Sequence, residues 1–203
     1  MFLVARAENF ARSNKLSLIS LSPNASGTGV FTVASPNSNV DRVLTLPDET
    51  GTVLTTAGVP SSAMPAGSVL QVVSATYAVQ VSTTGGTYID TGLTATITPT
   101  STSSNILVYI NQNGVSKGAG NGGVYGQLVK DSTALATLAV NVAYTGGTTW
   151  NRIGSGWACS YLDSPATTAA TTYKTQFYAF NSVIAYVQQD ATTSTITLME
   201  IAG

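Results

Sequence analysis

The segment NILVYINQ, residues 105–112, alternates its side chains with the two-residue period of a β-strand. Ile106, Val108 and Ile110 fall on one face of it. The segment TITLMEI, residues 195–201, has the same period. One of its faces carries Ile196, Leu198 and Glu200, and the other carries Thr195, Thr197, Met199 and Ile201. Both faces are partly apolar, as expected if one covers a core and the other meets a neighbouring subunit.

Strand patterns separated by Gly, Pro, Asn and Asp turns fill the rest of the C-terminal two thirds of the chain. The predicted strands span residues 69–82, 87–98, 104–112, 123–130, 134–143, 152–161, 171–180, 182–189 and 194–202. Short strands at near-regular spacing are typical of an antiparallel β-sandwich or a jelly roll. We therefore predict a C-terminal β-sandwich head, jelly-roll-like, over residues 68–203.

The composition agrees with an all-β fold and excludes several partners. Charged residues make up 8% of the chain and hydrophobic residues 43%. Threonine, which fits a pleated strand better than a helix, is abundant. The net charge of −1 offers no basic groove, so nucleic acid is not an expected partner. No apolar stretch approaches the length of a membrane span, so we expect no membrane insertion.

Residues 1–20 hold the one helix-like pattern, with apolar side chains at helical spacing. An isolated helix of this length is marginal in water. The segment is therefore either a frayed terminus or a short N-terminal helix or extended anchor that orders when it docks on a partner surface. The docking candidates are Phe2, Val4, Arg6, Phe10 and Arg12.

Residues 21–58 have a different residue pattern, with short strand-like segments of about five residues between Pro, Asn and Gly turns. One such chain cannot enclose a core, whereas three copies wound together can. We predict a thin, intertwined, trimeric β-shaft here, followed by a neck or linker at 59–67. The predicted shaft core comprises Val30, Val33, Leu44, Leu46, Val53 and Leu54.

Two parts of the sequence resemble known phage proteins. The run VLTLPDETGTVL at 43–54 is similar to an "LPdatGTvlt" element of the fibrous region of phage tail-fibre and virion proteins. The segments at 67–73, 88–93, 160–168 and 195–201 resemble, in the same order, the C-terminal domain of tail-fibre-like proteins of marine and cyanobacterial phages. The resemblance implies a virion structural protein with a homotrimeric jelly-roll head, on a fibre, a spike or a head appendage. Its expected partner through the N-terminus is another virion protein, of the tail or baseplate or of the capsid.

Catalytic and metal-binding patterns are scarce. The chain has no histidine, which removes Ser-His-Asp and Cys-His nucleophiles and the usual zinc ligand sets. Asp48 and Glu49 are adjacent in a predicted turn, and Asp90, Asp163 and Glu200 are far apart in sequence. We therefore expect no enzyme activity, no cofactor and no metal, with a surface polysaccharide depolymerase as a distant alternative.

Loop residues carry the remaining functional signal. The glycine-rich stretch at 114–123 lacks the order of a phosphate-binding loop and no helix follows it. At one end of a sandwich it could touch a receptor, and aromatic side chains beside a Gly-Gly turn suit contact with a sugar or a protein. The alternative places Trp150 in the core or a trimer seam. The receptor-contact candidates are Tyr144, Trp150, Asn151, Lys117 and Asn121.

These patterns together predict a protein on the surface of a bacteriophage particle. The first interpretation is a short trimeric tail fibre that serves in host attachment, with a head that binds a host surface glycan or protein. The alternative is a capsid head fibre or decoration protein of the same architecture.

Overall fold

A computed structural model of the chain describes residues 26, 39–41, 43, 63–118, 120–146 and 151–203, with the backbone alone for 151–154. The chain divides into two compact units, Met1–Gly51 and Thr52–Gly203, and the architecture below is that of the second. The predicted docking candidates and shaft-core residues all lie outside the described residues, as does Trp150. The predictions made for them stay predictions.

The described part of the second unit is built of antiparallel β-strands. In chain order they are β1 (Val69–Tyr77), β2 (Val81–Thr83), β3 (Ile89–Ile97), β4 (Asn105–Lys117), β5 (Gly122–Lys130), β6 (Thr133–Thr145), β7 (Asn151–Asp163), β8 (Thr171–Ala179), β9 (Ala185–Val187) and β10 (Ser194–Ile201). Two 3-10 turns, Phe180–Ser182 and Gln189–Ala191, flank β9. The predicted all-β class is confirmed.

The long strands form two sheets with nested pairing. Sheet A contains β1, β10, β4 and β7 in spatial order, and the short strands β9 and β2 continue beside the far end of β4. Sheet B has the order β3-β8-β5-β6. The first long strand thus pairs with the last, the second with the seventh, the third with the sixth and the fourth with the fifth. This is the strand order of a jelly roll, as the sequence predicted.

Alternation along each strand sends one set of side chains between the sheets. On β8 every second residue from Thr171 to Ala179 is buried, and on β10 every second residue from Ser194 to Glu200 is buried. Two apolar clusters fill the space. One contains Leu93, Ile97, Ile106, Val108, Ile110, Leu128, Tyr173, Ile196 and Leu198, and the other contains Val115, Val124, Trp157, Phe177, Ala179, Ala185 and Val187.

A buried polar chain lies among these apolar residues and links the two sheets. Gln112 of sheet A accepts a 3.0 Å hydrogen bond from Thr175 Oγ1 of sheet B and donates one of 3.0 Å to Ser194 Oγ. Thr175 in turn shares a 2.6 Å hydrogen bond with Thr91 Oγ1. A buried polar group left unpaired is costly, so these bonds favour one register of sheet A over sheet B.

Three predicted elements differ from the structure. The predicted strand 182–189 is reduced to β9, Ala185–Val187, between the two 3-10 turns. The segment 69–82 splits into β1 and β2, because β1 loses its partner where Tyr77 faces Ser194, the first residue of β10. Strand β4 continues to Lys117, through part of the glycine-rich stretch predicted as a loop. Gly114 permits this with a φ of 61°, at a site where a Cβ would lie 2.4 Å from the Gln189 nitrogen.

Candidate functional site

Four of the five predicted receptor-contact residues lie at one end of the sandwich, namely Lys117, Asn121, Tyr144 and Asn151; the fifth, Trp150, is outside the described residues. Lys117 ends β4 opposite Asn151, the first residue of β7. Gly122 opens β5 opposite Thr145, so Asn121 and Tyr144 lie at the same end of the β5–β6 hairpin. Residues that are distant in sequence therefore converge there, as a loop-based contact surface requires.

The residues of this end differ in exposure. Asn121 is exposed, and Tyr144 is 47% exposed on β6. Lys117 is fully buried and its Nζ donates a hydrogen bond to the Gly120 carbonyl oxygen. Because its ammonium faces the interior of the β4–β5 turn, Lys117 does not form part of the contact surface proposed below. The side chain of Asn151 lies outside the described residues.

A row of aromatic side chains, which the sequence reasoning missed, crosses the outer face of sheet B near this end. Tyr125 of β5 stands opposite Tyr178 of β8, and their rings stack with centroids 4.7 Å apart and an interplanar angle of 20°. Tyr88, just before β3, meets Tyr178 edge-on at 4.8 Å. Phe180 lies 5.7 Å from Tyr125. We call Tyr88, Tyr125 and Tyr178 the tyrosine row.

The rings of the tyrosine row contact one another, one pair stacked and the other edge-on, so their relative orientation is fixed. No hydrogen bond joins these three hydroxyls to the described part of the chain. Burial, and then the neighbouring tyrosines, raise the pKa of Tyr88 and of Tyr178 above the ordinary value. The neutral hydroxyls of Tyr88 and Tyr178 can both donate and accept hydrogen bonds.

A polar row lies beside the tyrosine row on the same face. Gln127 Nε2 donates a 2.8 Å hydrogen bond to Gln176 Oε1, and Gln176 Nε2 donates one of 2.6 Å to Asp90 Oδ1. Lys174 Nζ lies 2.8 Å from Asp90 Oδ2. Burial alone would raise the pKa of Asp90, but the bonds from Lys174 and Gln176 outweigh it and lower that pKa. The outer face of sheet B thus combines aromatic rings with fixed amide, carboxylate and ammonium groups.

The alternation of inward and outward side chains along β8 is the signal that could have located the tyrosine row. Tyr173 and Phe177 are buried and share one face of the strand. Tyr178 is offset by one residue from Phe177 and therefore points outward. Sequence alone did not reveal that Tyr88 and Tyr125 would join it, because their alignment depends on the register of three strands.

Two carboxyl groups face the interior of the sandwich from sheet A. Glu200 and Asp163 both stand opposite Ile106, on either side of β4. Asp163 accepts a 2.6 Å hydrogen bond from the Tyr173 hydroxyl and bonds of 3.0 and 3.1 Å from Lys130 Nζ. Burial, the hydrogen bond to Asp163 and its charge raise the pKa of Tyr173 above the ordinary value. This cluster joins β7 of sheet A to β5 and β8 of sheet B.

Glu200 is fully buried and held by neutral donors. Gln71 Nε2 lies 2.6 Å from Oε2, and the Thr100 backbone nitrogen and hydroxyl each lie 2.7 Å from Oε1. Burial opposes ionisation, yet the hydrogen bonds from Gln71 and Thr100 prevail and lower the pKa of Glu200. The oxygens of Glu200 and Asp163 are committed to protein donors, an arrangement typical of structural carboxylates.

Other site types find no support in the described ranges. Among those residues no group of three or more Cys, Asp and Glu side chains converges in a way that could hold a metal ion. The same part of the chain contains no helix that is long and apolar enough to cross a membrane. Cys159 is half-buried, and burial raises the pKa of its thiol.

The chain was compared with known proteins. No family model and no curated protein matches the sequence. Among solved structures, it is similar to that of the infectious bursal disease virus Gx strain, with 14% identity, a TM-score of 0.43 and coverage of 66% of this chain and 33% of that one. The VP2 subviral particle of the same virus gives 14% identity, a TM-score of 0.37 and coverage of 67% and 38%. This chain therefore spans little more than a third of the matched chains, and at these TM-scores the likeness adds nothing to the assignment made from strand order.

Proposed function

We propose that this protein is a non-enzymatic structural component of a bacteriophage particle, a short tail fibre whose jelly-roll head attaches to the host surface. The observation that carries the attachment role is the tyrosine row with its polar neighbours on the outer face of sheet B. Aromatic rings, tyrosine hydroxyls and fixed amides on one sheet face suit contact with a polar surface molecule such as a glycan or a protein. The phage context is supported by the sequence resemblance in the shaft and the head.

The attachment role is tested by competition. Purified chain is added to susceptible cells before particles that carry the protein, and adsorbed particles are counted. We expect the wild-type chain to reduce adsorption and Tyr178→Ala to lose at least tenfold in potency, because it removes the central ring of the row. Tyr178→Phe keeps the ring and removes only the hydroxyl group, so its potency distinguishes the contribution of the hydroxyl from that of ring stacking.

The matched control is Thr96→Ala, on the same outer face of sheet B but away from the tyrosine row. It should compete as well as the wild type. Equal potency of Tyr178→Ala and wild type would refute the attachment surface. Release of soluble sugar from host surface material by the purified chain would instead favour the depolymerase.

The position on the particle is tested by imaging with a labelled antibody against the head. Label at the tail supports the fibre. Label at capsid symmetry positions would replace it with the head fibre or decoration protein, which has the same architecture.

A further inference from the structure

The outer face of sheet A, opposite the tyrosine row, contains an uncharged surface among its described residues. Register aligns its side chains in three rows across four strands. The first row is Val72, Met199, Leu107 and Leu162; the second is Ser74, Thr197, Tyr109 and Ser160; the third is Thr76, Thr195, Asn111 and Ala158. None of the twelve is charged, and we call them the sheet A patch.

Apolar side chains in the sheet A patch are exposed to a degree that is unusual for a protein surface in water. Val72 is 56% exposed, Tyr109 54% and Leu162 58%, and they lie on three of the four strands. A depression of about 440 Å³ opens between Tyr109, Ala158, Thr197 and Met199. Contiguous exposed apolar surface of this kind marks a contact site more often than free surface.

The size of the patch fits the centre of a subunit contact. Four strands about 4.8 Å apart and three same-face positions about 6.8 Å apart cover roughly 400 Å². A standard interface buries about 800 Å² on each partner, with an apolar, charge-depleted centre and a polar rim. The patch has the extent of such a centre and lacks charge, and half of its twelve residues are apolar, including Tyr109 and Met199, whose residue types are enriched there.

The absence of charge on the sheet A patch limits which surface can bind to it. A partner surface that brought a charge onto it would bury that charge without a counter-ion, at a cost of several kcal/mol. The surface that covers the patch must therefore be uncharged as well, and the sheet A patch of a second copy of this chain meets that condition. The outer face of sheet B does not, since it carries the Asp90–Lys174 ion pair.

We propose that the sheet A patch is the surface through which copies of this chain associate, so that the heads contact one another directly and the association does not depend on residues 21–58 alone. The proposal builds on the proposed function, in which the protein acts as an oligomer and leaves sheet B free for the host. Placing the contact on sheet A keeps the tyrosine row on the outside of the assembly.

The test measures the accessibility of the patch in the full chain. A single cysteine is placed at Leu162 in a Cys159→Ala background and labelled with a maleimide, and Thr96→Cys on sheet B is the control. Both positions are exposed in one chain, so the substitutions are tolerated. We expect Leu162→Cys to react at least tenfold more slowly than Thr96→Cys, and addition of Leu107→Glu to the Leu162→Cys chain to restore fast labelling.

Sedimentation of the same samples gives the oligomeric state. An oligomer in which both cysteines react equally fast would overturn the proposal, and so would a chain that stays monomeric at all concentrations. Adsorption competition is scored separately. Loss of competition by Tyr178→Ala together with fast labelling of Leu162→Cys would retain the attachment role while refuting the sheet A patch.

Discussion

Glu200→Gln tests whether the buried carboxylate stabilises the head through its charge. The substitution keeps the shape of the side chain but replaces one accepting oxygen with an NH₂ group. In the more favourable orientation, the NH₂ group introduced by the substitution faces Gln71, so the Gln71 Nε2 donor, 2.6 Å from the carboxylate, loses its acceptor. The two hydrogen bonds of 2.7 Å from Thr100 remain, but they are now made to a neutral oxygen and are weaker. A hydrogen bond to a charged group contributes about 1.5–3 kcal/mol and a neutral one about 1 kcal/mol.

Part of that loss is returned because the variant no longer buries a charge, so we expect a net destabilisation of about 2–4 kcal/mol at pH 7. For a unit of this size that corresponds to a fall in Tm of roughly 5–12 °C. The pKa of Glu200 is lowered in the folded protein relative to its ordinary value of 4.5. The stabilisation is therefore complete above pH 4.5 and is lost as pH falls through the folded pKa.

The assay is denaturant unfolding of wild type and Glu200→Gln at pH 7 and at pH 3. The difference in the free energy of unfolding between wild type and Glu200→Gln should be smaller at pH 3 than at pH 7. Asp90→Asn is the control, since Asp90 is half exposed and its ion pair with Lys174 should contribute at most about 1 kcal/mol. A difference for Glu200→Gln that is equal at the two pH values, or absent at pH 7, would show that the charge is not the cause.

Three other substitutions probe the core. Tyr173→Phe removes the donor at 2.6 Å from Asp163 and should cost about 1.5–3 kcal/mol in denaturant unfolding at pH 7. The pKa of Tyr173 is raised on folding, so its contribution to stability is present below the ordinary value near 10 and declines at higher pH. The difference in the free energy of unfolding between wild type and Tyr173→Phe should therefore narrow as the pH is raised above 10. A constant difference would contradict this. Gly126→Ala would place a Cβ 2.6 Å from the Trp157 ring and should lower stability by about 1–3 kcal/mol, whereas Gly86→Ala, with nothing within 4 Å, should change the Tm little.

The strands were predictable because alternation is a local property. The period of residues 105–112 and 195–201 is visible without any knowledge of their partners, and the structure places Ile106 and Leu198 in one core cluster. The extent of β4 was not predictable, because continuation through Gly114 depends on the backbone of Gln189, far along the chain.

The candidate site was predictable only in part, for the same reason. Asn121 and Tyr144 flank turns, where sequence signals are strong, and they do lie at one end of the sandwich. The tyrosine row takes one residue each from β5 and β8 and one from just before β3, and the sheet A patch takes three residues from each of four strands. Their existence depends on which strands become neighbours and in what register, and a two-residue period contains neither piece of information.

The nested strand order also sets the sequence of events as the chain leaves the ribosome. The innermost pair, β5 and β6, is separated by a two-residue turn and can form at once, whereas β1, from Val69, must wait for β10, which begins only at Ser194. Contacts that close such long loops form late and slowly. Val72 and the unpaired edge of β1 therefore stay open throughout synthesis of the head, and at high expression they are the surface where nascent chains would aggregate first. Slower translation or a chaperone that covers extended segments should raise the soluble yield more than any stabilisation of the finished fold.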